Sequence, residues 1–156
     1  MDFAMKTFTR VQDVLDNAVK LHERLYQHFD TLSDLSTNER SKLMFKYLSD
    51  HEHRLADQTK LITKGVTANV LHTWLQFTME IPPATFIKNL VLEADSGFEV
   101  IAEKGHVIDD YFAGIFGALK DVSRSSEVRT IFEDLESIET LEHKSLARAA
   151  DAMLDM

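Results

Sequence analysis

The sequence predicts an all-α fold: four long helices forming two antiparallel hairpins, the second a diverged copy of the first, with a long connection between them. Three observations lead there. The composition is that of a helical chain, with five glycines and two prolines in 156 residues and abundant Leu, Ala, Glu, Lys and Met. Apolar residues recur at steps of three, four and seven, the period of a buried helix stripe. Residues 22–52 also fall without gaps on residues 109–139, an offset of 87, with seven of 31 positions identical. Those seven pairs are Phe29/Phe116, Leu32/Leu119, Asp34/Asp121, Ser36/Ser123, Phe45/Phe132, Leu48/Leu135 and Glu52/Glu139.

The first helix is read from Val11, Leu15, Ala18, Leu25, Phe29 and Leu32, and ends near Asp34. Ser36 and Glu39 have the Ser-x-x-Glu spacing of a capping box, which starts the second helix. Its stripe runs through Met44, Leu48, Leu55 and Ile62, and Gly65 is placed to end it in the left-handed conformation. Residues 66–83 break the rhythm, and Pro82-Pro83 forbids a helix until the next start, so this segment is the crossover. The third helix is expected from about Ala84 to Asp121, weakened by Gly97, Gly105, Gly114 and Gly117, with a kink or break among them. Residues 123–126 cap the fourth, whose stripe is Val128, Ile131, Phe132, Leu135, Ile138, Leu146 and Met153. One domain spanning residues 1–156 is the expectation.

Charge and composition exclude several function classes. With no cysteine, the chain has no disulfide, thiolate metal site or cysteine nucleophile. A formal net charge of -9 with scattered basic residues would repel a phosphate backbone, so nucleic acid is not an expected partner. No run of eighteen apolar residues is present and the first ten carry no leader pattern, so a soluble, cytoplasmic protein without membrane contact is expected. Gly-rich phosphate loops, a Gly-x-Ser-x-Gly elbow and a His-Glu-x-x-His helix are all missing.

Chemistry is expected at one level of the bundle. In a helical hairpin, residues equidistant from the turn lie at the same height. Residue 37 is midway between His22 and Glu52, residue 124 is midway between Asp109 and Glu139, and both fall in expected turns. At a rise of about 1.5 Å per residue, these four side chains would form a layer roughly 20 Å from the turns if all face inward. A shift of one residue would substitute Glu23 and Asp110 and enlist Asp50-x-x-His53 or His143, and Glu103-x-x-His106 is a further spaced pair about a turn from the layer. The bland account of the same residues is a metal-free core. In it, Glu52, Glu139 and Glu142 are solvated charges at the stripe's edge, His51 and His53 are polar surface, and His22 is a boundary imidazole bonded to a carboxylate.

The paired hairpins, the F-x-x-L-x-x-x-E run (Phe45, Leu48, Glu52; Phe132, Leu135, Glu139) and the spacing Phe29/Leu32 and Phe116/Leu119 resemble the ferritin-like superfamily, and within it the rubrerythrin-related bundles, over nearly the whole chain. The resemblance implies a ferritin-like four-helix bundle holding two iron or manganese ions. The expected ligands are a Glu from each of the first and third helices and a Glu-x-x-His pair from each of the others. Carried over, it puts His22 and Asp109 on the two single Glu positions, Glu52 and Leu55 on one pair, and Glu139 and Glu142 on the other. Only Glu52 and Glu139 match in type, and Leu55 is not a ligand, so the set His22, Glu52, Asp109, Glu139 and Glu142 is an altered one.

Two functions follow as expectations. The altered set favours a non-catalytic or weakly metal-binding bundle acting through a dimer or partner surface. That surface would be the crossover around Trp74 and Phe77, where Leu75, Met79 and Ile81 add further apolar area. The alternative is an iron or manganese oxidoreductase, or peroxide-handling protein, using the substituted carboxylate/His site.

Overall fold

The computed structural model describes residues 8–155, which form six helices and two three-residue strands. The four long helices are α1 (Val11–Leu35), α2 (Glu39–Lys64), α5 (Phe98–Val122) and α6 (Ser126–Leu154). The fold is therefore mostly helical, as expected. α1 packs along α2 and α5 along α6, and α2 touches both helices of the second pair. One core joins all four, centred on Phe29, Phe45, Phe112, Phe116 and Phe132.

The offset of 87 residues reappears in the backbone. α1 and α5 are each 25 residues long with boundaries 87 apart, and α2 and α6 begin 87 apart. Both stop at an extended serine: the Ser36 amide bonds back four residues to the Leu32 carbonyl and the Ser123 amide three residues to the Lys120 carbonyl. Phe29/Phe116, Leu32/Leu119, Phe45/Phe132, Leu48/Leu135 and Glu52/Glu139 are buried in pairs.

Local details differ from the sequence reading. The N-cap of α2 is Asn38, whose side chain accepts from the Ser41 amide, instead of Ser36, whose hydroxyl bonds the Asn38 carbonyl. Asn caps as well as Ser, and here stands at the residue where the backbone turns into the helix. Gly65 ends α2 at φ -85°, so no left-handed turn is used there. The left-handed residue among those described is Val91 (φ 46°), which ends α4 (Pro83–Leu90).

The expected third helix is two: α4, then α5 after a gap at 91–97. The break ends at Gly97, the extended N-cap of α5, and α5 runs unbroken through Gly105, Gly114 and Gly117. The crossover holds the single turn α3 (Ala68–Leu71) and the strand β2 (Trp74–Gln76). β2 pairs antiparallel with β1 (Phe8–Arg10), Thr9 opposite Leu75. Leu75 packs inward while Trp74 faces out under the Arg10 guanidinium. Among the described residues no helix is long and apolar enough to cross a membrane.

Candidate metal centre

Each long helix carries a polar residue where its apolar stripe would otherwise continue. On α1 the series is Ala18, His22, Leu25; on α2 it is Leu48, His51, Leu55; on α5 it is Gly105, Asp109, Phe112; and on α6 it is Leu135, Glu139, Glu142, Leu146. Steps of three and four keep one face turned inward, so these side chains must enter the core. His22, His51, Glu52, Asp109 and Glu139 are all at most 2% exposed, and the Glu142 side chain is 14% exposed.

Glu52 sits between two imidazoles. Its Oε1 lies 2.8 Å from Nδ1 of His22, and its Oε2 lies 3.9 Å from Nε2 of His51. Successive residues on a helix point about 100° apart, so Glu52 turns toward α1 while His51 turns toward α5 and α6. Nε2 of His51 is 2.8 Å from Oδ1 of Asp109, and its Nδ1 is 3.0 Å from Oε1 of Glu142. Nε2 of His22 is 3.4 Å from Oε1 of Glu139. Phe112 stacks on His22 at 3.8 Å between ring centroids. On the outer side, Arg54 holds Glu142 at 3.2 Å and lies over the Tyr47 ring.

Burial of so many charges sets their proton affinities. Desolvation is the largest influence on His22 and works against its charge, yet Glu52 and Glu139 outweigh it and push the group up to about 9. His51 is driven up to about 10 by Asp109 and Glu142 in the same way, again against burial. Burial raises Asp109 and pushes Glu139 up to about 7. Glu142 moves down, held by His51 and then by Arg54. Four buried atoms here have no hydrogen-bond partner: His22 Nε2, His51 Nδ1, Asp109 Oδ2 and Glu139 Oε2. The two imidazole nitrogens among them are near carboxylates but not aligned for a bond.

All five residues expected at the layer, His22, Glu52, Asp109, Glu139 and Glu142, therefore lie in one connected group. The shifted register does not: Glu23 pairs with Lys60, Asp50 with Lys46, and His53 is 55% exposed. Nor are Glu52 and Glu139 solvated edge charges, or His22 a boundary residue, because the stripe positions they occupy are interior ones. His51 is the residue sequence reasoning misread as surface. The signal was available in the unfilled seven-residue step between Leu48 and Leu55. Leu55 itself is buried in the core. One ligand atom from each of His51, Glu52 and Asp109 can be chosen so that all lie within 4.8 Å of one another, close enough for one ion.

A second histidine pair stands just outside. Nδ1 of His106 on α5 is 3.1 Å from Nε2 of His143 on α6, and Nδ1 of His143 is 3.6 Å from Oδ1 of Asp110. No family model, curated protein or solved structure matches the chain.

Proposed function

We propose that this protein is a ferritin-like bundle that binds divalent transition metal at its centre, with iron or manganese as the ions and oxygen or peroxide as the reactants. The observation that carries this reading is the set of unpartnered buried donor atoms contributed by His22, His51, Asp109 and Glu139 around the shared Glu52 carboxylate. Leaving such atoms without a bond costs about 1–3 kcal/mol each, a cost that coordination would remove.

The donor set fits the group. Borderline divalent ions accept imidazole and carboxylate together, and the four carboxylates carry the charge of two such ions. Glu52 would be shared, with His22 and Glu139 on one side and His51, Asp109 and Glu142 on the other. A pair of redox ions so held supplies electron transfer to a bound oxidant. The chain's own residues would keep the centre dry and orient the imidazoles, and the protons held by His22, His51 and Glu139 would pass to solvent as an ion binds. The ferritin-like assignment is supported by helix boundaries repeating at one offset and by the long link between the pairs. His51, one turn before Leu55, supplies an imidazole on the helix where the resemblance expects one.

Metal analysis of protein purified without chelator, then anaerobic ferrous titration and exposure to air, tests the reading. One to two iron or manganese ions per chain and iron oxidation faster than in buffer are expected, both lost in Glu139→Gln. Background metal in the wild type and unchanged iron oxidation would reject it.

A partner surface is favoured by a separate observation. Phe8 and Trp74 are 64% and 61% exposed on the outer face of the two-stranded sheet, and aromatics are enriched at interfaces. A homodimer through this face is the second reading. Trp74→Glu should then turn a dimer into a monomer in sedimentation, whereas a wild-type monomer would exclude it.

A further inference from the structure

We infer that His106 and His143 form a second, outer metal site for an imidazole-preferring divalent ion such as Zn2+. The two side chains come from different helices, α5 and α6, and their facing nitrogens are 3.1 Å apart. Two nitrogens bound to one zinc at about 2.0–2.1 Å stand roughly 2.9–3.4 Å apart at ordinary coordination angles. The helices therefore hold this pair at the spacing one ion requires, and both rings are half-buried, which keeps them open to an arriving ion. The rings are tilted by 41° with centroids 4.5 Å apart, so neither is stacked flat against the other and each can turn its nitrogen to a common point.

Asp110 makes the arrangement more than a chance meeting. It lies on the far side of His143, 3.6 Å from Nδ1, where a carboxylate favours the tautomer carrying hydrogen on Nδ1. The Nε2 lone pair then faces His106. This carboxylate–imidazole–ion order is how proteins orient a histidine ligand. Water would complete the shell.

The pair belongs to a different place from the buried centre. Neither histidine hydrogen-bonds to His22, His51, Glu52 or Glu139, and the closest sequence links are Asp109, three residues from His106, and Glu142, next to His143. Both rings reach solvent whereas Asp109 is buried, so the outer site would be a first stop for an ion on its way inward. This loading role rests on the reading of the buried centre, whereas the outer site itself does not.

The test is a Zn2+ titration of chelator-treated protein, followed by calorimetry and by long-range proton–nitrogen spectra of the imidazoles. Wild type, the double variant His106→Ala/His143→Ala and Glu139→Gln are compared, with circular dichroism to verify helicity. The expected result is that the double variant binds one ion fewer, and that the His106 and His143 nitrogens shift together with zinc in both wild type and Glu139→Gln. Unmoved resonances for these two rings, or equal stoichiometry in the double variant, would overturn the outer site. For the loading role, the double variant should fill the buried centre at least tenfold more slowly while reaching the same final occupancy there. Equal filling rates would overturn that role alone. Zinc at the histidine pair with none at the centre would reject the buried site and leave the outer one standing.

Discussion

Nδ1 of His22 and Oε1 of Glu52 meet at 2.8 Å with both side chains buried. The other Glu52 oxygen faces His51, so one carboxylate links the two imidazoles of the core. Without metal, this geometry draws protons onto both rings. With metal, the same nitrogens must give those protons up, so ion and proton compete for the same atoms.

Opposite pH slopes for stability and for metal affinity follow from that competition. His22 and His51 rise from an ordinary 6.5 to about 9 and about 10, and Glu139 rises from 4.5 to about 7. Each folded value lies above its unfolded one, so the native state binds the extra protons. The histidine contribution is complete below pH 6.5 and is lost as pH rises through 9 to 10; that of Glu139 is complete below 4.5 and is lost through 7. Chelator-treated protein should therefore lose several kcal/mol, on the order of 10–20 °C in Tm, between pH 6 and 10. Zinc or manganese affinity should climb over the same interval. Thermal melts with chelator, set beside competition titrations, check both, and parallel slopes would contradict the shared-atom account.

Removing His51 should be more damaging than removing its whole pair. His51→Leu leaves Asp109 buried without its 2.8 Å partner, a loss that typically costs about 3–5 kcal/mol. Adding Asp109→Leu removes the stranded charge, and the double variant should recover at least half of the loss. Urea unfolding at pH 7 with chelator measures the cycle. Additive losses would mean that the two residues do not interact.

How much of this was legible depended on whether a residue's meaning was local. Helix stripes and the 87-residue offset are periodic properties, so the four long helices and the level that Glu52 and Glu139 share on either side of His22 could be read directly. His51 was missed because its neighbours Glu52 and His53 make the local stretch look polar, and only the apolar residues on either side reveal that it points inward. The strands Phe8–Arg10 and Trp74–Gln76 are three residues long and exist through pairing across more than 60 positions, which no local pattern encodes. Of the four glycines expected to weaken the third helix only Gly97 lies in the break, which spans 91–97, because packing inside α5 outweighs the low helix propensity of the other three.

Gly105 illustrates a constraint visible only in three dimensions. A Cβ built there would lie 2.7 Å from the Leu48 side chain and 3.0 Å from Leu146, so α5 approaches α2 and α6 one turn from Asp109. Gly105→Val should push α5 outward, costing about 1–3 kcal/mol by overpacking, and lengthen the Asp109–His51 contact. The readouts are urea unfolding and metal affinity. A gain in stability would mean that helix propensity outweighs the close approach.

Leu55 offers the most direct engineering test of the centre. It stands three residues after Glu52 and is 1% exposed, so Leu55→His would recreate a Glu-x-x-His pair on α2 with both members on one helix face. Without metal, the new imidazole lacks an assigned partner in the core, and burying it unpaired should cost about 1–3 kcal/mol. With metal, it adds a neutral donor beside the Glu52 carboxylate, and affinity should rise about tenfold, equivalent to about 1.4 kcal/mol. The variant should therefore melt below wild type in chelator, and excess manganese should close about 1.4 kcal/mol of that gap, because an ion that binds only the folded state raises its stability. A gap of the same size with and without manganese would show that position 55 does not face the ion.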